Sequence, residues 1–189
     1  MTYRESDNRL GTVELQSGET ITYDYNDAGQ ITNQTSSTSG TVSFTYTQEG
    51  AVETMTDSTG TTTYRYDDSN RLEGIDYPDG NSISYEYDFV GRIKKVKEKT
   101  STTSPEYVTE YDYDAFGNLS WIKDPNGGIS TMKYDVVNRL KERELANGVK
   151  TTYEYDDLDR VKSIVHTNAD GDVLASVAYE RVGIGEPSK

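Results

Sequence analysis

One nine-residue phrase, Tyr-x-Tyr-Asp-x-x-Gly-Arg followed by Ile or Leu, recurs through almost the whole chain and limits what it can fold into. Clean copies begin at Tyr64, Tyr85, Tyr111 and Tyr153. Looser copies begin at Tyr23, Phe44 and Met132, and partial ones stand at Asn8-Arg9-Leu10 and from Tyr179 to Gly185. Counting from the second aromatic of each copy (Tyr25, Tyr46, Tyr66, Tyr87, Tyr113, Tyr134, Tyr155, Tyr179), the steps are 21, 20, 21, 26, 21, 21 and 24 residues. A fixed period of this length is the mark of a repeat architecture.

Each unit carries two kinds of turn. The first lies inside the phrase. Its last turn position holds Asn8, Gly29, Gly50, Asn70, Gly91, Gly117, Asn138, Asp159 or Gly183, all residue types that tolerate a positive φ. Three residues earlier stands Asn26, Asp67, Asp88, Asp114, Asp135 or Asp156, whose side chain can bond the backbone ahead of it. This pattern predicts a three-residue hairpin loop, a type I turn closed by one left-handed residue. The second turn follows about eight residues on, at Ser17-Gly18, Ser39-Gly40, Thr59-Gly60, Asp79-Gly80, Asn126-Gly127, Asn147-Gly148 and Asp170-Gly171.

The segments between turns read as strands. Ile83, Tyr85 and Tyr87 alternate with Ser82, Ser84 and Glu86; Ile21, Tyr23 and Tyr25 alternate with Thr22 and Asp24. Such period-two alternation marks a half-buried strand. The descending strand starts on the apolar residue after Arg and carries another three positions later, as in Leu72 and Ile75. Three apart in a regular strand means opposite faces, so either a bulge re-registers it or both faces are partly covered. Two short turns per unit force antiparallel neighbours. The expected fold is all-β: a long antiparallel meander of about 21-residue repeats, two short strands each, sixteen to eighteen in all, forming a twisted or spiralling strip without helix. Residues 1 to 189 read as a single array of about eight units, truncated at both ends, with a longer loop near residues 98 to 106.

Composition sets the remaining bounds. Hydrophobic residues make up only 32%, yet there are 16 Tyr against 3 Phe and 1 Trp, so Tyr must supply much of the buried area; Tyr85 and Tyr87, on the face of Ile83, are each expected to bury most of the ring. The net charge of −14 argues against nucleic acid, which demands a basic surface, and against anionic membranes; no apolar run approaches a membrane span. There is no Cys, and His166 is the only His, which removes thiolate metal sites and the usual nucleophile pairs. The acidic groups Asp67-Asp68 and Asp156, Asp157 and Asp159 recur at turns, as turn-making predicts and catalysis does not. Asn168 to Asp172 resembles half a calcium loop but lacks its closing Glu. The basic run Lys94-Lys95-Val96-Lys97-Glu98-Lys99 reads as solvated lysines beside a tolerated insertion, or as a contact for an acidic partner. No catalytic, cofactor-binding or metal residue is assigned.

The phrase, with a Gly turn between copies, closely resembles the YD repeats of bacterial RHS proteins, also found in wall-associated polymorphic toxins, insecticidal toxin-complex shells and teneurins. The resemblance covers residues 8 to 185 with seven copies in register. Its signature positions here are Tyr25, Gly29, Tyr46, Gly50, Tyr66, Asp67, Asn70, Arg71, Tyr87, Asp88, Gly91, Arg92, Tyr113, Asp114, Gly117, Tyr134, Asp135, Asn138, Arg139, Tyr155, Asp156, Asp159 and Arg160. It implies a non-enzymatic scaffold, part of a shell or stalk of an exported bacterial protein, extracellular or at the cell surface, with its export signal outside this chain. The implied partners are flanking repeats or other copies of the chain through edge strands, and an encapsulated toxin polypeptide or a surface glycan. Complete shells of the family use far more repeats, and Asp124-Pro125-Asn126-Gly127-Gly128, which superficially matches the family's cleavage signature, lacks its Leu and reads as a turn. The alternative reading is a carbohydrate- or cell-wall-binding module using Tyr ladders, although the Gly-Trp and Trp-Tyr pairs of such repeats are missing.

Overall fold

The computed structural model of the protein describes residues 1–179. Gly183 and the rest of the closing partial copy lie outside them. The described residues form seventeen strands of one antiparallel sheet and no helix. The chain divides into two compact units, Met1–Glu86 with Val96–Tyr107, and Tyr87–Lys95 with Val108 onward.

In the first unit, β1 (Thr2–Tyr3), β2 (Leu10–Glu14), β3 (Thr20–Tyr25), β4 (Ile31–Ser36), β5 (Gly40–Tyr46), β6 (Val52–Asp57), β7 (Gly60–Tyr66), β8 (Leu72–Asp76) and β9 (Ser82–Tyr87) follow in chain order, and each of the first eight pairs with the next. Strand β9 ends on Tyr87 of the second unit, and β10 (Ile93–Lys99) and β11 (Tyr107–Tyr113) contribute residues to both units. In the second unit, β12 (Leu119–Lys123), β13 (Ile129–Tyr134), β14 (Leu140–Glu144), β15 (Lys150–Tyr155), β16 (Val161–Thr167) and β17 (Val173–Ala178) again pair in sequence.

A bulge resolves the descending strand. Tyr66 pairs with Leu72, but Arg65 pairs with Gly74, leaving Glu73 as the extra residue. The same slip leaves out Thr32, Glu53, Ser120, Lys141 and Lys162. One extra residue shifts the following side chains to the other face. Leu72 and Ile75 therefore share the face of Tyr66 and Tyr64.

That face is the drier one. The residue before each anchor Tyr (Asp24, Thr45, Arg65, Glu86, Asp112, Lys133, Glu154) is exposed, whereas the anchors are partly buried. No apolar side chain among the described residues is fully buried. The rings are thus shielded by neighbours within a layer rather than enclosed, and the few closed positions are small: Gly11, Gly74 and, on the Tyr face, Thr62 and Thr151, which are 6% and 1% exposed. Thr151 Oγ1 lies 3.0 Å from His166 Nδ1, which gives the lone His a hydrogen-bonding partner.

The opposite face is a polar ladder. In the first unit it is mostly hydroxyls: Thr45 to Thr54 at 2.7 Å, Thr56 to Thr61 at 2.8 Å, Ser43 to Asn33 at 2.8 Å. In the second unit it is ion pairs, with Lys133 to Glu142 at 2.7 Å and both Lys95 and Lys123 on Glu110. The basic run adds ion pairs to the first unit as well: Lys97 meets Glu86 at 2.6 Å and Lys99 meets Glu106 at 3.1 Å. The longer loop after it closes on a turn in which Ser104 N donates to Ser101 O at 3.2 Å.

Candidate functional site

The signature residues gather at one set of hairpin ends, the YD turns. At Asp67 the backbone loop closes by two bonds, Asp67 N to Arg71 O at 2.9 Å and Asn70 N to Asp67 O at 2.8 Å. Asn70 has φ 58°, as its place in the loop demands. The eight left-handed positions expected in the described residues all have positive φ, from Asn8 at 55° to Gly117 at 92°.

The Asp side chain then does three things. Asp67 Oδ1 accepts from Ser69 N and Arg71 N, both at 2.9 Å, and Oδ2 accepts from Arg71 Nε and Nη2, both at 2.7 Å. Asp88 with Arg92, Asp135 with Arg139 and Asp156 with Arg160 repeat the pattern. The signature Asp and Arg, four residues apart, thus form a clamp across their own turn. The bidentate fork fixes geometry as well as charge. For Asp67, the Arg71 side-chain hydrogen bond holds the carboxyl below its ordinary value. At Asp135 and Asp156 the leading cause is the backbone N–H of the paired Arg, and at Asp114 it is the Asn118 side chain. At Asp88 burial pushes upward, and the hydrogen bonds from Arg92 and Val90 outweigh it.

The anchor Tyr ties each repeat to the one before. Tyr66 Oη donates to Val52 O at 2.8 Å, fourteen residues upstream. Tyr25, Tyr46, Tyr134 and Tyr155 donate in the same way to Leu10, Ile31, Leu119 and Leu140, each fifteen residues back, at 2.6 to 3.1 Å. Tyr113 reaches Ile93 O across the longer loop at 2.9 Å. In each case the acceptor belongs to the first residue of the preceding descending strand. The preceding Arg lies over the ring: Arg92 is 4.2 Å from the Tyr113 centroid and Arg139 is 4.4 Å from that of Tyr155, within cation–π range. Burial raises the phenols of Tyr66, Tyr134 and Tyr155. Tyr87 occupies the same place in its copy and is partly buried.

Three copies depart from the pattern. Asn26 pairs with Gln30, Thr47 with Ala51, and Asp114 with Asn118. The acceptor carbonyls and these substituted partners escape a reading of the sequence. The residue after Arg stands out for its apolar side chain, and nothing in the residue type marks its carbonyl as the one the next Tyr uses.

The family-model comparison matches this repeat grammar over residues 1–184, under the description Teneurin YD-shell. The chain belongs to the YD-shell family. Among solved structures, this YD-shell chain is similar in fold to the crystal structure of a TcdB2–TccC3–Cdc42 complex, with a TM-score of 0.59 and 15% identity over 88% of its length. It is also similar to TcdB2–TccC3 (TM-score 0.58, 15% identity, 88% covered) and to TcdB2–TccC3 without its hypervariable C-terminal region (0.57, 16%, 87%). The YD-shell chain spans only 11%, 12% and 11% of those three chains. No curated protein matches it in sequence.

Proposed function

We propose that the chain is a section of the wall of a YD-repeat shell, a non-enzymatic scaffold of an exported protein. In this reading the wall encloses a toxic polypeptide or presents an extracellular surface for adhesion, and flanking repeats continue the strip at either end. The observation that carries the proposal is the use made of the signature residues. The carboxylates of Asp67, Asp88, Asp135 and Asp156 are committed to their own Arg partners, and the Tyr hydroxyls to backbone carbonyls of the previous repeat. Groups arranged to join repeats serve construction rather than chemistry. The rings of Tyr25, Tyr113 and Tyr155 are also poorly placed for sugar stacking, because Arg side chains lie over them. No helix among the described residues is long and apolar enough to cross a membrane.

The test is to express the chain with the flanking coding sequence and a folded reporter fused downstream, then digest with protease. A wall predicts a reporter protected until the repeats are denatured, and no selective retention on a glycan array. A reporter cleaved at the rate of the free reporter, together with strong retention of one glycan class, would overturn the proposal in favour of a binding module.

A further inference from the structure

The second unit breaks its own pattern once, at the turn of Asp114. In the repeats on either side, an Arg clamps the turn Asp and covers the next anchor Tyr, as Arg92 does for Asp88 and Tyr113, and Arg139 for Asp135 and Tyr155. Asn118 replaces that Arg. Its amide reaches Asp114 Oδ2 at 3.0 Å and Asn138 Oδ1, but it brings no positive charge to the carboxylate or the ring. Among the described residues no cation pairs with Asp114 or lies over Tyr134. The carboxylate is nevertheless ionised above its lowered pKa.

A groove opens at this place. It measures about 420 Å³ and is lined by Asp114, Phe116, Tyr134, Asp135, Val136 and Asn138. In the neighbouring repeats the Arg139 and Arg92 side chains themselves line the space between turn Asp and anchor Tyr. Its rim is apolar and open: Phe116 is 85% exposed and Val136 104%. Phe89, Val137 and Leu158, on neighbouring turns of the same unit, are also exposed. In the first unit the equivalent turn tips hold Asp27, Ala28, Gln48, Glu49, Asp68 and Ser69. Grouped exposed apolar side chains mark interaction surfaces, and here Phe116 and Val136 share one groove with the Asp114 and Asp135 carboxylates and the Tyr134 ring.

We infer that this groove is a docking site for a partner polypeptide, which inserts an arginine between Asp114 and the Tyr134 ring and lays apolar residues on Phe116 and Val136. The chain itself supplies the template, since a guanidinium fills the equivalent position in both neighbouring repeats. Lysine fits less well, because it has neither the fork for the carboxylate nor the plane for the ring. The overall charge of −14 favours approach of a basic segment.

The probe is N-acetyl-Leu-Arg-Leu-amide, titrated into the ¹⁵N-labelled full chain while the amides of Phe116, Gly117 and Asn138 are followed. The Arg peptide should shift these amides and leave those of the Asp67 turn in place. Replacing its Arg by citrulline, which keeps the shape and removes the charge, should weaken binding about tenfold, and replacing it by Lys should weaken it by less. Asn118→Arg should abolish binding, because the chain then fills its own groove; this variant recreates the pairing of Asp88 with Arg92, so it should fold and melt higher than the parent. Asp114→Asn should weaken binding about as much as citrulline does. Absence of shifts at millimolar peptide, equal binding of the citrulline and Arg peptides, or unchanged binding in Asn118→Arg would each overturn the site.

Discussion

Most hairpin ends of the two sets, all but Ser36–Gly40 and Asp57–Gly60 among the opposite ones, share one loop backbone and differ in what their side chains are required to do. The loop closed by Asp67 N to Arg71 O and Asn70 N to Asp67 O has the same pair of bonds as the one closed by Leu145 N to Val149 O and Gly148 N to Leu145 O. At the YD ends the leading position is Asp in five copies, with Asn26 and Thr47 in the others. At the opposite ends the same position holds Leu15, Tyr77, Asp124, Leu145 or Asn168. A left-handed residue is enough to make the loop. The recurrence of Asp, Arg and Tyr at one set of ends therefore reports a second task. There the anchor Tyr of one repeat regularly grips the backbone of another, whereas the opposite ends show such bonds singly, as where Thr20 N donates to Ser37 Oγ and Ala146 N to Ser130 Oγ.

The largest test of that difference is removal of a whole anchor ring. Tyr155→Ala deletes the bond to Leu140 O, the surface under Arg139 and the ring's share of the Tyr face. It should cost about 2–4 kcal/mol in urea melts, below the range of a fully enclosed aromatic because the ring is only partly buried. Leu15→Ala, at an opposite turn, should cost less than about 1 kcal/mol. Equal losses would mean that the two sets of ends bear the same load.

A second test probes what they share. Gly91 in a YD turn and Gly18 in an opposite turn have φ of 90° and 85°. A β-branched side chain is strained at either place, so Gly91→Val and Gly18→Val should each cost about 1–2 kcal/mol. Nothing lies within 4 Å of a Cβ built on Gly18, so its cost isolates backbone strain. If Gly91→Val proved neutral while Gly18→Val did not, the common loop would be an incorrect description of the YD end.

Much of this organisation was legible in the sequence, for physical reasons. Positive φ restricts residue choice to Gly, Asn and Asp, so the turn positions announced themselves at Asn70, Asn138 and Asp159 as clearly as at Gly29. Alternation around Tyr23 and Tyr25 gave the ascending strands. The descending strands were ambiguous because a bulge leaves no residue-type mark. Thr32, Glu53, Glu73, Ser120, Lys141 and Lys162 have in common only their place after the first apolar residue. The Asp–Arg clamp was half visible: Asp was read as a turn residue bonding its own backbone, but the guanidinium that completes it is a contact four residues away. The Tyr-to-carbonyl bonds were invisible, since every residue has a carbonyl and only register decides which one a hydroxyl meets. The substitution of Asn118 for Arg becomes informative only beside Arg92 and Arg139, whose grooves show what a guanidinium does there.

A smaller effect separates the hydroxyl from the ring. Tyr155→Phe keeps the packing and the face under Arg139 and removes only the bond to Leu140 O. The loss should be about 0.5–1.5 kcal/mol. The same change at Tyr3, which is 61% exposed, should leave the melt within about 0.5 kcal/mol of the parent. A Tyr155→Phe variant as stable as the parent would show that the rings join the repeats by packing alone, and the hydroxyls would drop out of the account of how one repeat grips the next.

The smallest and most distributed effect is acid sensitivity of the clamps. Asp67, Asp88, Asp135 and Asp156 are held below their ordinary value of 3.8 in the folded chain. A carboxyl with a lowered folded pKa binds protons more weakly folded than unfolded, so its contribution is complete above the unfolded pKa and is lost as pH falls through the folded one. Each contribution is small, because these side chains are in contact with water. Glu110 and Glu142, lowered by their lysines from 4.5, begin to lose theirs at slightly higher pH. Melting temperature should therefore decline from about pH 4.5 downward, first through the Lys–Glu ladder and then through the clamps. Replacing all four aspartates by Asn should lower the melting temperature at neutral pH and flatten the lower part of that decline, while leaving its upper part in place. Asp57→Asn at an opposite turn, where Thr59 is the leading cause of the lowered pKa, should remove only a single carboxyl's share of the slope. If the four-Asn variant kept the full acid slope below the Glu range, the clamps would be paired in geometry but not in energy, and the repeat-to-repeat hold would rest on tyrosine.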